Sequence, residues 1–339
     1  MRIAYDVTPL SHPRTGIGNY IFGALRGMLA AANGEHEFVA FGPVSVRGRR
    51  LLDRTLDSLD VERRVLTFPL AHALRRAWSR VAHPPAERFL GRVDVLHFSD
   101  WMYPPQRAGL RATMIHDLGP LHFPDRLDRR TVAMHSGTAR EARSCDVVFV
   151  NSEYTAQDVV ATLGIARARL RVAYPGVDGA FTPEGERERS DRPYAFTTAT
   201  SHWRKNLGTV RRAWPALAGE LELVTVGDNG YVPATKLAAL YRGASVFIYP
   251  SRFEGFGIPV IEAMACGVPC VVSSHPSLDE ASGDAAVRVD PDDPDAIAAG
   301  VRDALARREE LVARGIAHAR HFTWLATGRA HLQGYADAL

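Results

Sequence analysis

The sequence predicts an α/β protein built from two doubly wound parallel sheets. Short apolar, β-branched runs alternate with helical patterns through almost the whole chain. The 339 residues suffice for two domains of about 150 residues each. A turn at residues 174–178 (YPGVD) and a polar, proline-bearing stretch at 182–193 separate the alternation into two series. We therefore expect a linker near residue 180.

The first series predicts five strands, at residues 2–7, 37–41, 94–98, 112–116 and 147–151. Helical patterns lie between them, at 18–31, 129–143 and 152–163. Ser152 is a candidate N-cap for the last of these helices. The second series predicts strands at 194–198, 221–226, 246–249, 270–273 and 286–289. Because doubly wound sheets bind ligands at the carboxyl ends of their strands, the turns after strands are the places to look for a site.

The composition is that of a globular protein, with 46% apolar and 23% charged residues. No run reaches about 18 apolar residues, and the opening MRIAYDVTPL reads as a strand and not as a signal peptide. We expect a protein that lies in the cytoplasm or on the cytoplasmic face of the inner membrane. The first 178 residues hold 24 arginines against 18 acidic residues, so any membrane contact is expected through this basic part.

Three cysteines, Cys145, Cys266 and Cys270, are expected to be buried thiols, because no histidine accompanies the last two as a zinc ligand would. A further acidic stretch, VDPDDPD at 289–295, has the Asp-x-Asp spacing of some metal sites. We expect Asp293 or Pro294 to begin a helix there instead, so no metal site is predicted.

The turn TGIGNY, residues 15–20, follows the first strand and opens a helix. Gly16 and Gly18 would let backbone N–H groups approach an anion, although a tight turn alone explains them equally well. The third glycine of the dinucleotide fingerprint is missing, which disfavours an NAD-dependent dehydrogenase.

Another such turn is IHDLGP, which places His116 and Asp117 at the end of an apolar strand. A neutral imidazole there can exchange a hydrogen bond with a substrate hydroxyl. A structural histidine is the alternative, and His97 at a similar strand end is the competing candidate.

A basic turn, Arg204-Lys205-Asn206, separates a strand from a helix in the second series. Only Lys205 and Lys236 are lysines among the 41 basic residues, so a lysine at this point is unusual. Its compact charge suits a phosphate oxygen, with a solvated basic turn as the alternative.

The segment PSRFEGFGIPVIEAMACGVP, residues 250–269, carries Glu254 and Glu262 in an otherwise apolar context. A helix beginning near Gly257 puts Glu254 in the preceding loop and Glu262 inside the helix, beside its positive end. Phe256 and Met264 are interpreted as packing residues. We expect both carboxylates to face solvent and to bind separate hydroxyls of one extended ligand, their partner being neither a metal nor an arginine.

The segment at residues 71–92 has a helical pattern with Leu74, Ala77, Trp78 and Val81 on one side. Arg75, Arg76 and Arg80 fall elsewhere on that helix. A solvated face on a helix that packs against its own domain is the favoured interpretation, and a helix lying on an anionic membrane is the alternative.

These segments together resemble the retaining glycosyltransferases of family 4, which have the GT-B fold. The resemblance rests on TGIGNY, IHDLGPL, VNSEYTAQDV, YPGVDGAF, RKNL, LYRGASVFIYPSRFEGFGIPVIEAMACGVPCV and the final FTW. It implies two Rossmann-like domains facing each other across a cleft. It also implies that residues 1–180 and 322–339 form an acceptor-side domain, since the last helix of the family commonly crosses back, and that 181–321 bind the nucleotide sugar.

The resemblance also implies roles for the second-domain residues. Glu262 would hold ribose hydroxyls, Glu254 would lie near the donor sugar, and Lys205, with Arg204, would neutralise the diphosphate. The backbone at Gly255, Phe256 and Gly257 would lie beside sugar and phosphate. In the first domain, Gly16 and Gly18 would close over the diphosphate, His116 would contact the transferred sugar, and Asn19 and Asp117 would lie on the acceptor side.

The resemblance implies hexose transfer with retention of configuration from a nucleoside-diphosphate sugar, with GDP-mannose as the first guess. The acceptor would be a glycan, a lipid-linked or a small molecule, as in polysaccharide biosynthesis, with no metal, cofactor or nucleic acid. A nucleotide-sugar epimerase and a non-catalytic nucleotide-sugar-binding subunit are the alternatives. The short segment at 227–236, where the family usually has a longer one, leaves the base open.

Overall fold

A computed structural model describes residues 1–14, 16–81, 83–228 and 231–339. The chain forms two compact units, one comprising Met1–Gly176 with Trp324–Leu339 and the other Val177–Thr323. The divisions lie after Gly176 and Thr323, within a few residues of the predicted 180 and 321.

The first unit contains a parallel sheet that has seven strands in the described residues, in the order β3-β2-β1-β4-β5-β6-β7. Its strands are β1 (Arg2–Asp6), β2 (Glu37–Val44), β3 (Glu62–Thr67), β4 (Val95–Phe98), β5 (Leu110–Ile115), β6 (Val147–Val150) and β7 (Leu170–Val172). The sequence did not predict β3 and β7, which are the two edge strands. β3 is polar and largely exposed, and β7 has only three residues, so neither has an apolar run.

The helices of this unit surround the sheet and follow its strands. They are α1 (Gly16–Ala32), α2 (Val46–Leu56), α3 (Ala71–Trp78), α4 (Glu87–Leu90), α5 (Gly119–His122), α6 (Arg129–Ala142) and α7 (Glu153–Leu163). Ser152 caps α7 by accepting a hydrogen bond from the Thr155 N–H, which confirms the predicted N-cap. A 3-10 helix at Thr8–Ser11 connects β1 with the segment before α1.

The segment at 71–92, of which Ala82 lies outside the described residues, differs from the prediction. It forms the two short helices α3 and α4 and not one long helix. Ala77 and Val81, predicted on the apolar side, are exposed, whereas Arg75 is buried. The predicted faces were wrong because α3 turns Arg75 inward, onto the Trp101 ring.

The second unit contains a parallel sheet of five strands in its described part, in the order β12-β11-β10-β8-β9. Its strands are β8 (Tyr194–Thr197), β9 (Glu222–Thr225), β10 (Val246–Tyr249), β11 (Cys270–Ser273) and β12 (Ala286–Val289). Its helices are α8 (Leu207–Ala213), α9 (Ala234–Gly243), α10 (Ile258–Ala265), α11 (Asp279–Ser282), α12 (Pro294–Ala306) and α13 (Arg308–Ala319). These strands lie within two residues of their predicted bounds, because the central strands of a parallel sheet are continuous apolar runs.

The last helix, α14 (Trp324–Ala336), packs on α1 in the first unit. Glycines make this approach possible. A Cβ at Gly27 would lie 1.8 Å from the carbonyl oxygen of Trp324, and one at Gly328 would lie 2.1 Å from the Gly27 carbonyl carbon. In the described part of the chain, no helix combines the length and apolar character needed to cross a membrane.

Candidate functional site

The candidate site of the second unit lies where β8 and β10 end. These strands are neighbours at the centre of the sheet, and the strand order reverses direction between them, so their carboxyl ends form a topological switch point. The basic turn with Arg204 and Lys205 follows β8, and the loop with Glu254 follows β10. The fold therefore brings together two segments that are 49 residues apart in sequence.

Asn206 attaches the basic turn to the loop, and sequence reasoning missed this role. Its backbone is left-handed, with φ of 60°. Its side-chain amide donates to the carbonyl oxygens of Pro250 at 3.1 Å and Pro291 at 2.6 Å. Thr209 Oγ1 donates to the side-chain oxygen Oδ1 of Asn206 at 2.7 Å. These bonds position the two cations beside the loop.

Glu254 is 7% exposed and is surrounded by donors. Lys205 Nζ lies 2.6 Å from Oε1, Arg204 Nη1 lies 3.4 Å from Oε2, and Tyr249 OH donates at 2.9 Å, with a further short bond from Ser251 Oγ. Burial acts to raise the pKa of Glu254, but the charges of Lys205 and Arg204 and the hydrogen bonds outweigh it and hold the pKa at about 2. Glu254 is therefore a fixed anion at neutral pH.

Glu262 lies in α10 and is 9% exposed. Tyr241 OH donates to its Oε2 at 3.3 Å, and in the described parts of the chain no cationic group lies within 4.0 Å of it. Burial raises the pKa of Glu262 to about 8, with Tyr241 opposing the shift and Asp178 adding to it. Glu262 is therefore a largely uncharged carboxyl group at neutral pH.

The expectation that both glutamates face solvent is wrong, since both are buried. The expectation that neither has an arginine partner is wrong for Glu254, which pairs with Lys205 and Arg204. The Glu254 carboxylate can be buried because two cations from the turn after β8 compensate its charge, and this pairing depends on the fold. α10 is buried around most of its circumference, which carries Glu262 inside with it.

Helix α10 begins at Ile258, one residue after Gly257, so the loop and helix placements of the two glutamates are confirmed. Gly257 has φ of 107°, and a Cβ there would lie 2.6 Å from Leu278 Cδ2, so only glycine fits. The Phe256 ring packs edge-on to Phe322 at 5.2 Å and Met264 is fully buried, which confirms both as packing residues. The N–H groups of Gly255, Phe256 and Gly257 precede the first turn of the helix.

The other acidic stretch serves the fold. The Asp293 side chain accepts a hydrogen bond from the Asp295 N–H and caps α12, which begins at Pro294 as predicted. The three cysteines are free and buried, also as predicted. In the short segment at 227–236, Asn229 and Gly230 lie outside the described residues, and Asp228 accepts a 2.7 Å bond from Ser201 Oγ.

In the first unit, His116 follows β5 and packs edge-on to Tyr20 at 5.1 Å. Burial lowers the pKa of His116 to about 4, with Asp117 opposing the shift and His135 adding to it. The ring is thus neutral at pH 7. Asp117 accepts a 2.9 Å bond from the Gly119 N–H in its own turn. The competing candidate, His97, is buried and bonds Tyr335 OH at 2.7 Å, so it is a core residue.

The first turn of α1 carries the remaining candidates. Gly16 is exposed, Gly18 is buried, and Asn19 is partly buried, while Thr15 of the same motif lies outside the described residues. A Cβ at Gly16 would meet nothing within 4 Å, so packing within the unit does not require glycine there.

Sequence reasoning missed two buried carboxyl groups, Asp6 at the end of β1 and Asp100 after β4. Asp6 accepts from the Thr8 N–H at 2.8 Å and from Ser99 Oγ at 2.5 Å. Burial raises the pKa of Asp100 to about 7, and Asp6 adds to the shift. Both residues line a cavity of about 10 Å³ that His116 also lines. Strand ends followed by aspartate are the sequence signal that could have indicated them.

The comparisons with known proteins agree with this architecture. A model described as Glycosyltransferase Family 4 matches residues 15–181, and one described as Glycosyl transferases group 1 matches residues 216–322. An O-antigen chain mannosyltransferase B from Escherichia coli is 27% identical, with 96% of each chain covered. A D-inositol 3-phosphate glycosyltransferase from Acidothermus cellulolyticus is 38% identical, covering 60% of this chain and 56% of that protein.

Solved structures share the fold at low sequence identity. A sucrose-phosphate synthase from Thermosynechococcus elongatus superposes with a TM-score of 0.69 at 18% identity, covering 99% of this chain and 98% of that one. A glycosyltransferase from Rickettsia africae gives 0.65 at 14% identity, with the same coverage. Two doubly wound domains and the Glu-x7-Glu loop and helix define a glycosyltransferase of the GT-B fold. Within that class, the chain belongs to glycosyltransferase family 4.

Proposed function

We propose that the protein transfers a hexose, with retention of configuration, from a nucleoside-diphosphate sugar to a glycan, a lipid-linked or a small-molecule acceptor. The observation that carries this proposal is the contrast between the two glutamates beside the start of α10. One is a fixed anion held by two cations, and the other is a buried carboxyl group without a cation among the described residues. A donor that joins a ribose to a sugar through a diphosphate suits both.

The site offers a suitable group for each part of such a donor: the ribose, the diphosphate and the sugar. The hydroxyls of a ribose would donate to Glu262 and compensate the charge that burial suppresses. Lys205, Arg204 and Glu254 sum to one positive charge, which together with the N-terminus of α10 favours a diphosphate. Glu254, already fixed by its cations, would accept from hydroxyls of the sugar.

The transfer step is proposed to occur on one face of the sugar. The bond from the anomeric carbon to the phosphate oxygen breaks, the acceptor oxygen bonds to that carbon, and the acceptor proton passes to the departing phosphate. Lys205 and Arg204 stabilise the negative charge that develops on the diphosphate. In the first unit, the neutral His116 ring would contact the transferred sugar, Gly16 and Gly18 would let the backbone approach the diphosphate, and Asn19 and Asp117 would face the acceptor.

GDP-mannose is the proposed donor, so mannose is the sugar transferred. Polysaccharide synthesis at the cytoplasmic face of the inner membrane is the proposed setting. The support is the mannosyltransferase of O-antigen chains that matches this chain over nearly its whole length. The transfer is proposed to need no metal ion, because the two cations beside Glu254 supply the charge compensation.

A thermal-shift panel of UDP-, GDP-, ADP- and dTDP-sugars tests the donor, since a ligand that binds the folded state raises the midpoint. The GDP-sugar is expected to give the largest shift. Transfer to a mannoside acceptor, with and without EDTA, then tests the reaction, and proton NMR of the product gives the anomeric configuration. An inverted product, loss of transfer in EDTA, or isomerisation of the donor without an acceptor would each contradict the corresponding part of the proposal.

A further inference from the structure

A second group of charged and aromatic side chains lies in the first unit, apart from the residues considered above. It consists of His12, His72, Arg75 and Trp101, which we call the basic cluster. His12 follows β1 through the 3-10 helix, His72 and Arg75 belong to α3 after β3, and Trp101 follows β4. All four therefore lie at the carboxyl edge of the sheet, and β1 and β4 flank the point at which its strand order reverses.

Arg75 is the buried member of the cluster and is 3% exposed. Among the residues that the structure describes, no carboxylate lies within 4.0 Å of its guanidinium. Its short contact is with His72 Nδ1 at 2.6 Å. Its weaker ones are with His72 Nε2 and the Pro43 carbonyl, both at 3.5 Å, and with the Trp101 ring at 5.3 Å. Burial lowers the pKa of Arg75, and the charge of Asp6 opposes that shift. A buried guanidinium with five N–H donors and no close counter-ion is costly, so an anionic partner would be strongly favoured.

His72 can add a donor, and His12 an acceptor, to the same space. Nδ1 of His72 accepts from Arg75, so a neutral His72 ring carries its proton on Nε2. Ser11 Oγ gives its single hydrogen to the Thr8 carbonyl at 2.6 Å, and it therefore accepts from His12 Nδ1 at 3.0 Å. The second nitrogen of His12 is then available to a protonated or hydroxyl-bearing ligand.

The cluster is open to solvent on one side. His72 is exposed, and His12 and Trp101 are partly exposed. The His12 ring lies edge-on to Trp101 at 4.8 Å and to His72 at 5.4 Å, and both of these rings contact the Arg75 guanidinium. Apolar ring faces beside one buried charge are typical of a site that takes a charged group on a larger organic molecule.

We propose that the basic cluster binds an oxyanion, a phosphate or a carboxylate, carried by the saccharide acceptor. The Arg75 guanidinium pairs with two oxygens of the anion, His72 Nε2–H donates to it, and Trp101 contacts the adjoining sugar. This assignment of the anion to the acceptor rests on the proposed function, whereas anion binding itself does not.

Binding is measured by isothermal titration calorimetry with the full-length chain at pH 7, in the absence of any nucleotide sugar. The probes are inorganic phosphate, glucose 6-phosphate, glucuronate and uncharged glucose. At least one of the charged sugars is expected to bind, and glucose is expected to bind at least about tenfold more weakly, since a hydrogen bond to a charged group is worth that factor or more. Preference for glucose 6-phosphate supports a phosphorylated acceptor, and preference for glucuronate supports an acidic sugar.

Three variants test the residues. Arg75→Gln and Arg75→Lys remove the guanidinium fork. His72→Asn changes an exposed side chain, so the test does not depend on the buried arginine alone. Each is expected to weaken binding at least about tenfold. Arg107→Gln is the matched control, because Arg107 is an exposed arginine that precedes β5, at the opposite edge of the same sheet.

The outcomes separate the two proposals. Absence of binding by every anion, or binding that His72→Asn and Arg107→Gln reduce equally, overturns the site. Anion binding at the basic cluster in a protein that transfers no sugar from any donor supports the site and overturns the proposed function. Efficient transfer to an uncharged acceptor that His72→Asn leaves unchanged overturns the assignment of the anion to the acceptor.

Discussion

Glu254 and Glu262 are the same residue type, lie eight positions apart in one stretch, and are both buried, yet their electrostatics are opposite. The loop residue has two cations within 4.0 Å and a pKa lowered to about 2, because those charges outweigh burial. Among the described residues, the helical residue has a hydrogen bond from a tyrosine hydroxyl and no cation within 4.0 Å, and burial raises its pKa to about 8. Because the two residues are buried to a similar depth, the neighbouring charges decide the difference between their charge states.

The difference separates two roles. A carboxylate that is already paired keeps its charge and geometry whether or not a ligand is bound, so Glu254 serves as a fixed part of the site. A buried carboxyl group without a neighbouring cation lowers the stability of the empty protein. Ligand binding at Glu262 is therefore expected to raise that stability. The four predictions below test this comparison.

The largest effect is expected for Lys205→Met. This change removes the closest cation from Glu254 and the compact charge proposed to stabilise the departing diphosphate, so turnover should fall by about 10²–10³. Steady-state transfer assays at saturating donor measure it. Lys236→Met is the matched control, because Lys236 is the other lysine of the chain and its ion pair with Glu188 is exposed. Equal activity in the two variants would remove Lys205 from the proposed mechanism.

Glu262→Gln is expected to stabilise the empty protein while abolishing its response to nucleotide sugars. The amide has the shape of the carboxyl group but takes up no proton on folding, whereas Glu262 must be protonated at pH 7 to be buried without charge. The free energy of unfolding at pH 7 should therefore rise by up to about 3 kcal/mol. Urea unfolding measures this gain, and thermal shift measures the lost response. A variant that is less stable than the parent and still responds to the donor would contradict the account of Glu262.

The stability of the empty protein should depend on pH in opposite senses at the two glutamates. The folded-state pKa of Glu262 is raised from 4.5 to about 8, so its contribution is present at low pH and is lost as the pH rises through about 8. The folded-state pKa of Glu254 is lowered from 4.5 to about 2, so its contribution is present above pH 4.5 and is lost as the pH falls towards 2.

Urea unfolding of the parent and of Glu262→Gln between pH 5 and 8 isolates the first contribution. The stability difference between the two proteins should widen steadily as the pH rises. A difference that stays constant over this range would mean that Glu262 titrates normally.

The smallest effect is expected for Tyr241→Phe. This change removes the hydroxyl that donates to Glu262 and should cost about 1 kcal/mol of stability above pH 8, where the carboxyl group is charged. At pH 5, where Glu262 is protonated, the cost should be smaller. Unfolding curves at the two pH values measure the change, and a larger cost at the lower pH would contradict it.

Much of the fold could be predicted from the sequence. The central strands are apolar runs with few alternatives, and residues such as Ser152 and Asp293 act through hydrogen bonds only two or three residues along the chain. The edge strands β3 and β7 were missed because an edge strand needs only one partner and no apolar run. Arg75 was placed on the wrong face of its helix, because a periodic pattern treats every arginine as solvated.

The sequence by itself determined the alternation of strands and helices, the glycine that immediately precedes α10, and the placement of one glutamate before that helix and one inside it. Only the tertiary structure decided the charge states of those residues and the groups that they contact. It brought Lys205 to Glu254 across 49 positions and enclosed Glu262 beside Tyr241. It also buried Arg75 without a carboxylate within 4.0 Å in the described chain. The physical reason is that local bonds and periodicity act between near neighbours in sequence, whereas the charge of a buried group depends on which distant groups exclude water and which compensate it.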